Sequence, residues 1–416
     1  MKILKWLIPG MGVKRWALLV ILSVAVISTG TVLMIIGKNT NDRAAVSLII
    51  LVGIAGLIIA IKNIVKSVVT VFLPQREEEL VDIVYQKRYL ERGSNVVTVG
   101  GGTGLSVLLH GLKKYSSNIT AIVTVADDGG SSGRLRQEFN ILPPGDIRNC
   151  LVALADAEPL MRKLFQFRFE EGEALKGHSF GNLFITAMSK VTGDFEQAIK
   201  ESSKVLAIRG KVIPSTLSKI KLVAEHQDGN VTAGESKIGE NRNPIKKVYL
   251  EPKDCEATEE ALMAIREADV IILGPGSLYT SVIPNLLING IYQEISRSKV
   301  LKTYICNVMT QPGETDGYKA SDHLKAIMRH STPEIINTCI INTGSIPENL
   351  LERYREEGAD IVVPDRDVIN KMGYKVIGAN IISAADYVRH DADKLSRLIM
   401  NMIGEYTRRG SAEKWL

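Results

Sequence analysis

Cysteine is scarce in this chain. Four residues in 416 are cysteine, Cys150, Cys255, Cys306 and Cys339, and none forms a C-x-x-C pair. That excludes a disulfide framework and a thiolate zinc site, and points to reduced thiols in a cytosolic domain. A basic excess is also missing from most of the chain. Residues 1–74 hold eight basic residues and one acidic residue, whereas the remainder holds 43 basic and 45 acidic residues. The net charge of +5 therefore belongs to the N-terminal segment, and no overall nucleic-acid footprint remains. No internal repeat or low-complexity tail is present.

Charge is absent from two N-terminal runs, Trp16–Ile36 (21 residues) and Ala44–Ile61 (18 residues). Each is about long enough for a hydrocarbon core of ~30 Å. Two successive runs without a small-residue cleavage site exclude a signal peptide. Lys2, Lys5, Lys14 and Arg15 precede the first run, and Lys62 and Lys66 follow the second. The positive-inside bias places both ends in the cytoplasm and the connector Gly37–Arg43 outside. Neither run carries an ionisable residue, so no transport path is suggested. The expected organisation is a two-helix membrane anchor over 1–74, a charged helical spacer over 75–93, and one large domain over 94–416. The second helix is expected to continue through Asn63–Phe72.

From Asn95 onward, apolar strands alternate with helical patterns, the signature of a mostly parallel α/β sheet. The expected strands are Val96–Val99, Ile119–Val125, Val270–Leu273, Lys302–Cys306, Ile335–Ile341 and Asp360–Val363. Lys219–His226 and Val231–Ala233, joined by Asp228-Gly229-Asn230, read as an inserted antiparallel hairpin.

In such a sheet, ligands bind beyond the carboxyl ends of the strands. The first strand end reads "VGGGTGLS". It lacks the Gly-Lys-Ser/Thr of a P-loop, and it lacks the third glycine of a dinucleotide fingerprint, whose slot is Leu105. The physics of a helix N-terminus facing an anion still applies to Gly101, Gly102, Thr103 and Gly104. The second strand end, "TVADDGGSSGRLR", offers Asp127 and Asp128 for Mg²⁺ or a ligand hydroxyl, Ser131 and Ser132 as polar contacts, and Arg134 or Arg136 for phosphate. Alternation along an extended chain lets only one of the two aspartates face a site. "PPGDIRN" places Asp146 as a helix cap and Arg148 in the first turn, where a cation calls for an anion. "GHSFGN" adds His178 and Asn182, with no second histidine or cysteine cluster nearby to suggest a metal trio. A second strand–glycine–helix unit, "ADVIILGPGSLYTSVIPNLL", offers Gly274, Gly276, Ser277 and Tyr279. Two glycine turns in one sheet can face one crevice from two sides, an arrangement suited to a diphosphate. A polar loop, "NVMTQPGETDGY", follows the next strand.

Together "GGGTGLS", "VTVADDGGSSGRLR", "PPGDIRN", "GHSFGN", "ILGPGSLYTSVIPNLL" and "CNVMTQPGETDGY" closely resemble the YvcK, or gluconeogenesis factor, family, related to the CofD family of 2-phospholactate transferases. The resemblance spans Asn95 to about Glu405. It implies a Rossmann-like three-layer αβα fold that binds UDP-N-acetylglucosamine or a related nucleotide sugar. It implies a role in cell shape, cell-wall precursor supply and growth on gluconeogenic carbon sources. In the CofD relatives the aspartate after the second strand contacts the deazaflavin acceptor or a divalent ion, and Asp127 and Asp128 match it here. The N-terminal hairpin departs from the short cytosolic form of the family and implies a multi-pass membrane location with the large domain in the cytoplasm.

Two readings stand. One is a membrane-anchored regulatory binder of a nucleotide sugar, without a nucleophile–base pair. The other is a CofD-like transferase with a nucleotide-diphosphate-linked donor and Mg²⁺ at Asp127 or Asp128. No other cofactor is expected. The partners expected are the nucleotide sugar, the membrane, a second copy of the chain and an enzyme of cell-wall precursor supply, and no nucleic acid. A pyridine-nucleotide oxidoreductase is disfavoured by the missing third glycine.

Overall fold

The structure, a computed structural model, describes residues 13–36, 40–72, 90–384 and 387–413. The expected spacer over 75–93 lies mostly outside the described residues. The chain divides into two compact units, Met1–Arg88 and Tyr89–Leu416.

In the first unit, helices α1 (Val13–Ile36) and α2 (Thr40–Phe72) form an antiparallel pair, and α2 runs without a break through Asn63–Phe72. The positions buried between them recur every seven residues: Ser23 and Gly30 on α1; Val46, Gly53 and Ala60 on α2. Small residues let the two backbones approach closely. A Cβ at Gly53 would fall 2.6 Å from Ile27 Cγ1, and one at Gly56 2.7 Å from Ser23 Oγ. The outer faces remain apolar and exposed, including Leu18, Ile21, Leu48, Leu51 and Ile58. Among the described residues, Arg15–Ile36 and Arg43–Ser67 are the two helical stretches long and apolar enough to cross a membrane.

The second unit is built on a seven-stranded parallel sheet. Its strands are β1 (Val96–Gly100), β2 (Ile119–Val123), β3 (Lys211–Pro214), β7 (Val270–Leu273), β8 (Leu301–Ile305), β9 (Thr338–Asn342) and β10 (Lys375–Ala379). The order across the sheet is β10-β9-β8-β7-β1-β2-β3. Strands added after β1 proceed to one side, and those from β7 onward proceed to the other. The strand order therefore reverses between β1 and β7, which are directly paired in register Val96↔Val270 through Val99↔Leu273. The central strands are buried on both faces, as their continuous Val/Ile/Leu runs require. β4 (Lys221–His226), β5 (Val231–Ala233) and β6 (Ile245–Glu251) form a separate antiparallel sheet, and β11 (Ile382–Ala384) pairs with β12 (Val388–His390).

The mostly parallel α/β reading is borne out, with differences in detail: no expected strand covers β3 or the β11–β12 pair. The inserted hairpin has a third strand, β6. Its register skips Lys246, so a bulge breaks the alternation by which a strand is read. Asp360–Val363 makes only isolated bridges, at Ile361 and Val363, while the outer strand is β10, whose half-exposed face gives no apolar run. The segment after the second glycine turn opens with a π-helical turn, Leu278–Val282, before a short helix, Ile283–Leu286.

Candidate functional site

The carboxyl ends of β1 and β7 carry the two glycine turns, and the turns touch. A Cβ on Gly104 would fall 2.8 Å from the Pro275 carbonyl oxygen, and one on Gly276 would fall 3.1 Å from the Gly101 oxygen. Asn285 locks them together from beneath: fully buried, it donates from Nδ2 to the Gly100 oxygen (3.1 Å) and the Ser281 oxygen (2.8 Å). Gly102 (φ +67°) and Gly274 (φ +76°) hold left-handed backbone that a side chain would strain. Helix α3 (Gly102–Leu112) starts at this contact without a side-chain cap.

A cavity of about 270 Å³ opens beside the paired turns. Thr103, Gly104, Pro275 and Gly276 form one side, and Asn307, Arg389 and His390 the other. Burial pushes the His390 imidazole down to about 4, so the ring is neutral. One ring nitrogen serves the Cys306 backbone, while Nε2 is buried without a partner. A neutral ring nitrogen of this kind is an acceptor, but it is buried behind the cavity wall rather than open to the cavity.

On the other side of β1, the expected Asp146 cap is corrected. Helix α5 (Gly145–Leu154) has no side-chain cap; helix α4 (Gly130–Phe139) precedes it. The Asp146 carboxyl instead accepts the Gly102 N–H, tying the "PPGDIRN" segment to the first glycine turn. Burial, then the neighbouring Asp127, pushes Asp146 up to about 7. Burial, then Asp127, Asp146 and Glu314, pushes Glu235 up to about 8. Glu314, buried beneath the second turn, rises to about 7 through burial, although Thr280 and Gln311 donate to it. Asp146 and Glu235 therefore sit near neutrality beside Asp127, and Glu314 does so beneath the second turn.

Five of the expected residues join in one network. Ser131 Oγ lies 3.0 Å from His178 Nδ1, Asn182 Nδ2 donates to Ser131 (3.1 Å) and Ser132 (3.5 Å), and Arg148 Nη1 donates to Asn182 Oδ1 (3.0 Å). Asp127 joins them at Gly145, where a Cβ would collide with Ser132 Oγ and lie 2.7 Å from Asp127 Oδ2. Arg148 also donates to Ser179 and Asn149, its Nε is buried without a partner, and no carboxylate contacts it among the described residues. Burial, then Arg168, lowers its pKa.

Other expected residues are engaged elsewhere. Asp127 Oδ1 accepts the Gly129 N–H, whereas Asp128 Oδ1 accepts the Ser236 N–H of the inserted sheet's helix. The two aspartates diverge, and among the described residues no three His, Cys, Asp or Glu side chains are grouped to hold a metal ion. They form no ready Mg²⁺ cage. Arg134 is exposed and donates to the Lys176 oxygen. Ser277 Oγ donates to Gln311. Tyr279 is wholly buried, its hydroxyl 2.8 Å from Tyr318 and its ring edge-on to His330, so the structure places it in the core behind the turn rather than in the crevice. Gly101 packs against Asp146 and Thr124 and leaves no room for a side chain. Sequence reading missed Glu235, Asn285, Glu314, Arg389 and His390. Glu314 sits in a motif already noted, "PGETDG", but Arg389 and His390 come from a short strand with no glycine signal.

The family model described as 2-phospho-L-lactate transferase CofD matches residues 96–382. A gluconeogenesis factor of Bacillus subtilis is 50% identical over 311 residues, 74% of this chain and 98% of its own. A Nostoc sp. relative, likewise carrying the gluconeogenesis factor name, is 45% identical over 421 residues, 96% of this chain and 92% of its own, so its match extends into the N-terminal helices. A crystal structure of a Bacillus halodurans protein superposes with a TM-score of 0.73 at 52% identity, covering 74% of this chain and 100% of that one. The chain therefore belongs to the CofD family and, within it, to the gluconeogenesis factors of the YvcK group.

Proposed function

We propose that the large domain binds UDP-N-acetylglucosamine or a related nucleotide sugar in the crevice between β1 and β7, and that the hairpin holds this sensor at the cytoplasmic face of a membrane. One observation carries the reading: two glycine turns in contact at the reversal of strand order, with a cavity beside them. Backbone N–H groups at such a point suit a diphosphate. The cavity is smaller than the ~300–1,000 Å³ of a complete small-molecule site. It suits one ring of the ligand, with the diphosphate lying across the turns. Arg389 supplies a cation, and Arg148 contributes a positive charge that no carboxylate contacts among the described residues. The names of the relatives support a role in gluconeogenic growth, and with the ligand chemistry they support control of cell shape through wall-precursor supply, by way of a partner enzyme or a second copy of the chain.

The second reading, a CofD-like transferase, is favoured by the family description and by Asp146, Glu235 and Glu314, whose pKa values of about 7 to 8 suit a general base. Asp127 is then the carboxylate that would meet a Mg²⁺ delivered by the donor's phosphates. Release of a nucleotide from the donor would identify this reading.

Calorimetry with UDP-N-acetylglucosamine tests the site. Arg389→Ala is expected to weaken binding by about tenfold or more, the loss of a charge-assisted contact. Tyr279→Ala is expected to destabilise the domain by about 3–5 kcal/mol, as for other buried aromatics, while leaving affinity intact in the folded fraction. Unchanged affinity in Arg389→Ala would remove this cavity from the site.

Affinity should also depend on pH. Asp146 and Glu235 have folded pKa values raised to about 7 and about 8, so they are neutral below those values and anionic above. An anionic ligand is therefore expected to bind best near pH 6 and to weaken as pH rises through 7 to 8. Asp146→Asn should flatten the profile, and an identical slope in that variant would dissociate Asp146 from ligand binding.

Thiol labelling tests the topology. All four native cysteines are buried, so background is low. Cysteine placed by Thr40→Cys should react with a membrane-impermeant maleimide outside intact cells, and cysteine placed by Ala412→Cys only after lysis. The reverse pattern would contradict a cytoplasmic domain.

A further inference from the structure

Helix α3 presents a second face to a second space. Thr103, Gly104 and Val107 line the nucleotide cavity, and Thr103, Ser106, Val107 and His110 line a groove of about 510 Å³. The opposite wall is helix α6 (Pro159–Gln166), whose Arg162, Lys163 and Gln166 face the groove at helical spacing. The floor is apolar, formed by Val152 and Ala153 of α5, and Asn149 stands at its end.

The electrostatics of this groove are one-sided. Neither Arg162 nor Lys163 has a side-chain hydrogen bond or ion pair among the described residues. The nearby Asp393 is already held by Lys114 at 2.5 Å. His110 is depressed by burial and then by Lys113, Lys114 and Arg162, with Asp393 the only opposing influence. Two unpaired cations on one wall of a half-enclosed space form an anion-binding arrangement whose low-dielectric walls strengthen the attraction. Around them, Thr103, Ser106, Asn149 and Gln166 offer donors and acceptors suited to hydroxyl groups. The apolar floor suits the C–H face of a sugar ring.

We propose that this groove is a second ligand site, abutting the nucleotide cavity, that takes a small phosphorylated sugar or polyol: phosphate on Arg162 and Lys163, hydroxyls on Thr103, Ser106 and Asn149. The assignment stands on the groove and does not depend on what the crevice binds. A ligand there would bear on the first turn of α3, the same turn that opens the crevice.

The test is calorimetry on the full chain in micelles of neutral detergent, titrated with glucose 6-phosphate, glycerol 3-phosphate and unphosphorylated glucose. At least one phosphorylated probe should bind, and glucose should bind about tenfold more weakly or not at all. Arg162→Ala/Lys163→Ala should weaken the phosphorylated probe by about tenfold or more. The variant's thermal midpoint without ligand should match the parent's, and its UDP-N-acetylglucosamine titration should be unchanged from the parent's, whatever that is. Failure of both phosphorylated probes at millimolar concentration would overturn the proposal, as would equal binding by the double variant. Displacement of the probe by phosphatidylglycerol added to the micelles would assign the cations to a lipid headgroup and overturn the soluble-ligand assignment.

Discussion

Gly104 and Gly276 meet across the crest of the sheet, and much of the candidate site follows from that contact. Strand pairing brings β1 beside β7, but it is the absence of side chains at Gly104 and Gly276 that lets their loops close on each other. Asn285 then fastens the pair through the Gly100 carbonyl, so that the second turn's helical segment supports the first turn's backbone. Asp146 anchors Gly102 from the β2 side, and Gln311 and Glu314 anchor the second turn from the β8 side. Backbone groups fixed from three directions are pre-organised, and little ordering is left for a ligand to impose.

The same anchors account for the unusual charge state of the crest. Asp146 and Glu314 are drawn inward to hold backbone or loops, Glu235 stands among like charges, and burial raises the pKa of each of the three. The anion proposed at these turns would be repelled by ionised carboxylates beside it. Their raised pKa values reconcile the structural use of these acids with an anion at the same strand ends. Arg148 balances them without contacting any of them: it is held by Ser179, Asn182 and Asn149.

The sheet was legible because its central strands are continuous apolar runs bounded by glycine, a pattern with few alternative outcomes. β3 was not legible because it is only four residues, Lys211–Pro214, and ends on a proline, and β10 was not because it is half-exposed and the constraint on its side chains is weak. β6 was obscured by its bulge at Lys246. Within the site, glycine signals located both turns and the "GHSFGN" and "SSGR" contributions to the network. Residue type alone could not separate partners from anchors. Tyr279 looks like a ring poised over a ligand in the linear sequence, yet the π-helical turn carries it into the core against Tyr318. Arg389 and His390 lie more than a hundred residues beyond the second turn, and only the fold brings them to its cavity.

Amide hydrogen exchange with and without UDP-N-acetylglucosamine tests the joined turns most directly. Exchange should slow at Gly102–Gly104 and at Gly276–Leu278 together, because the proposed diphosphate would lie across both. Saturable binding that leaves both segments at their free rates would contradict the account.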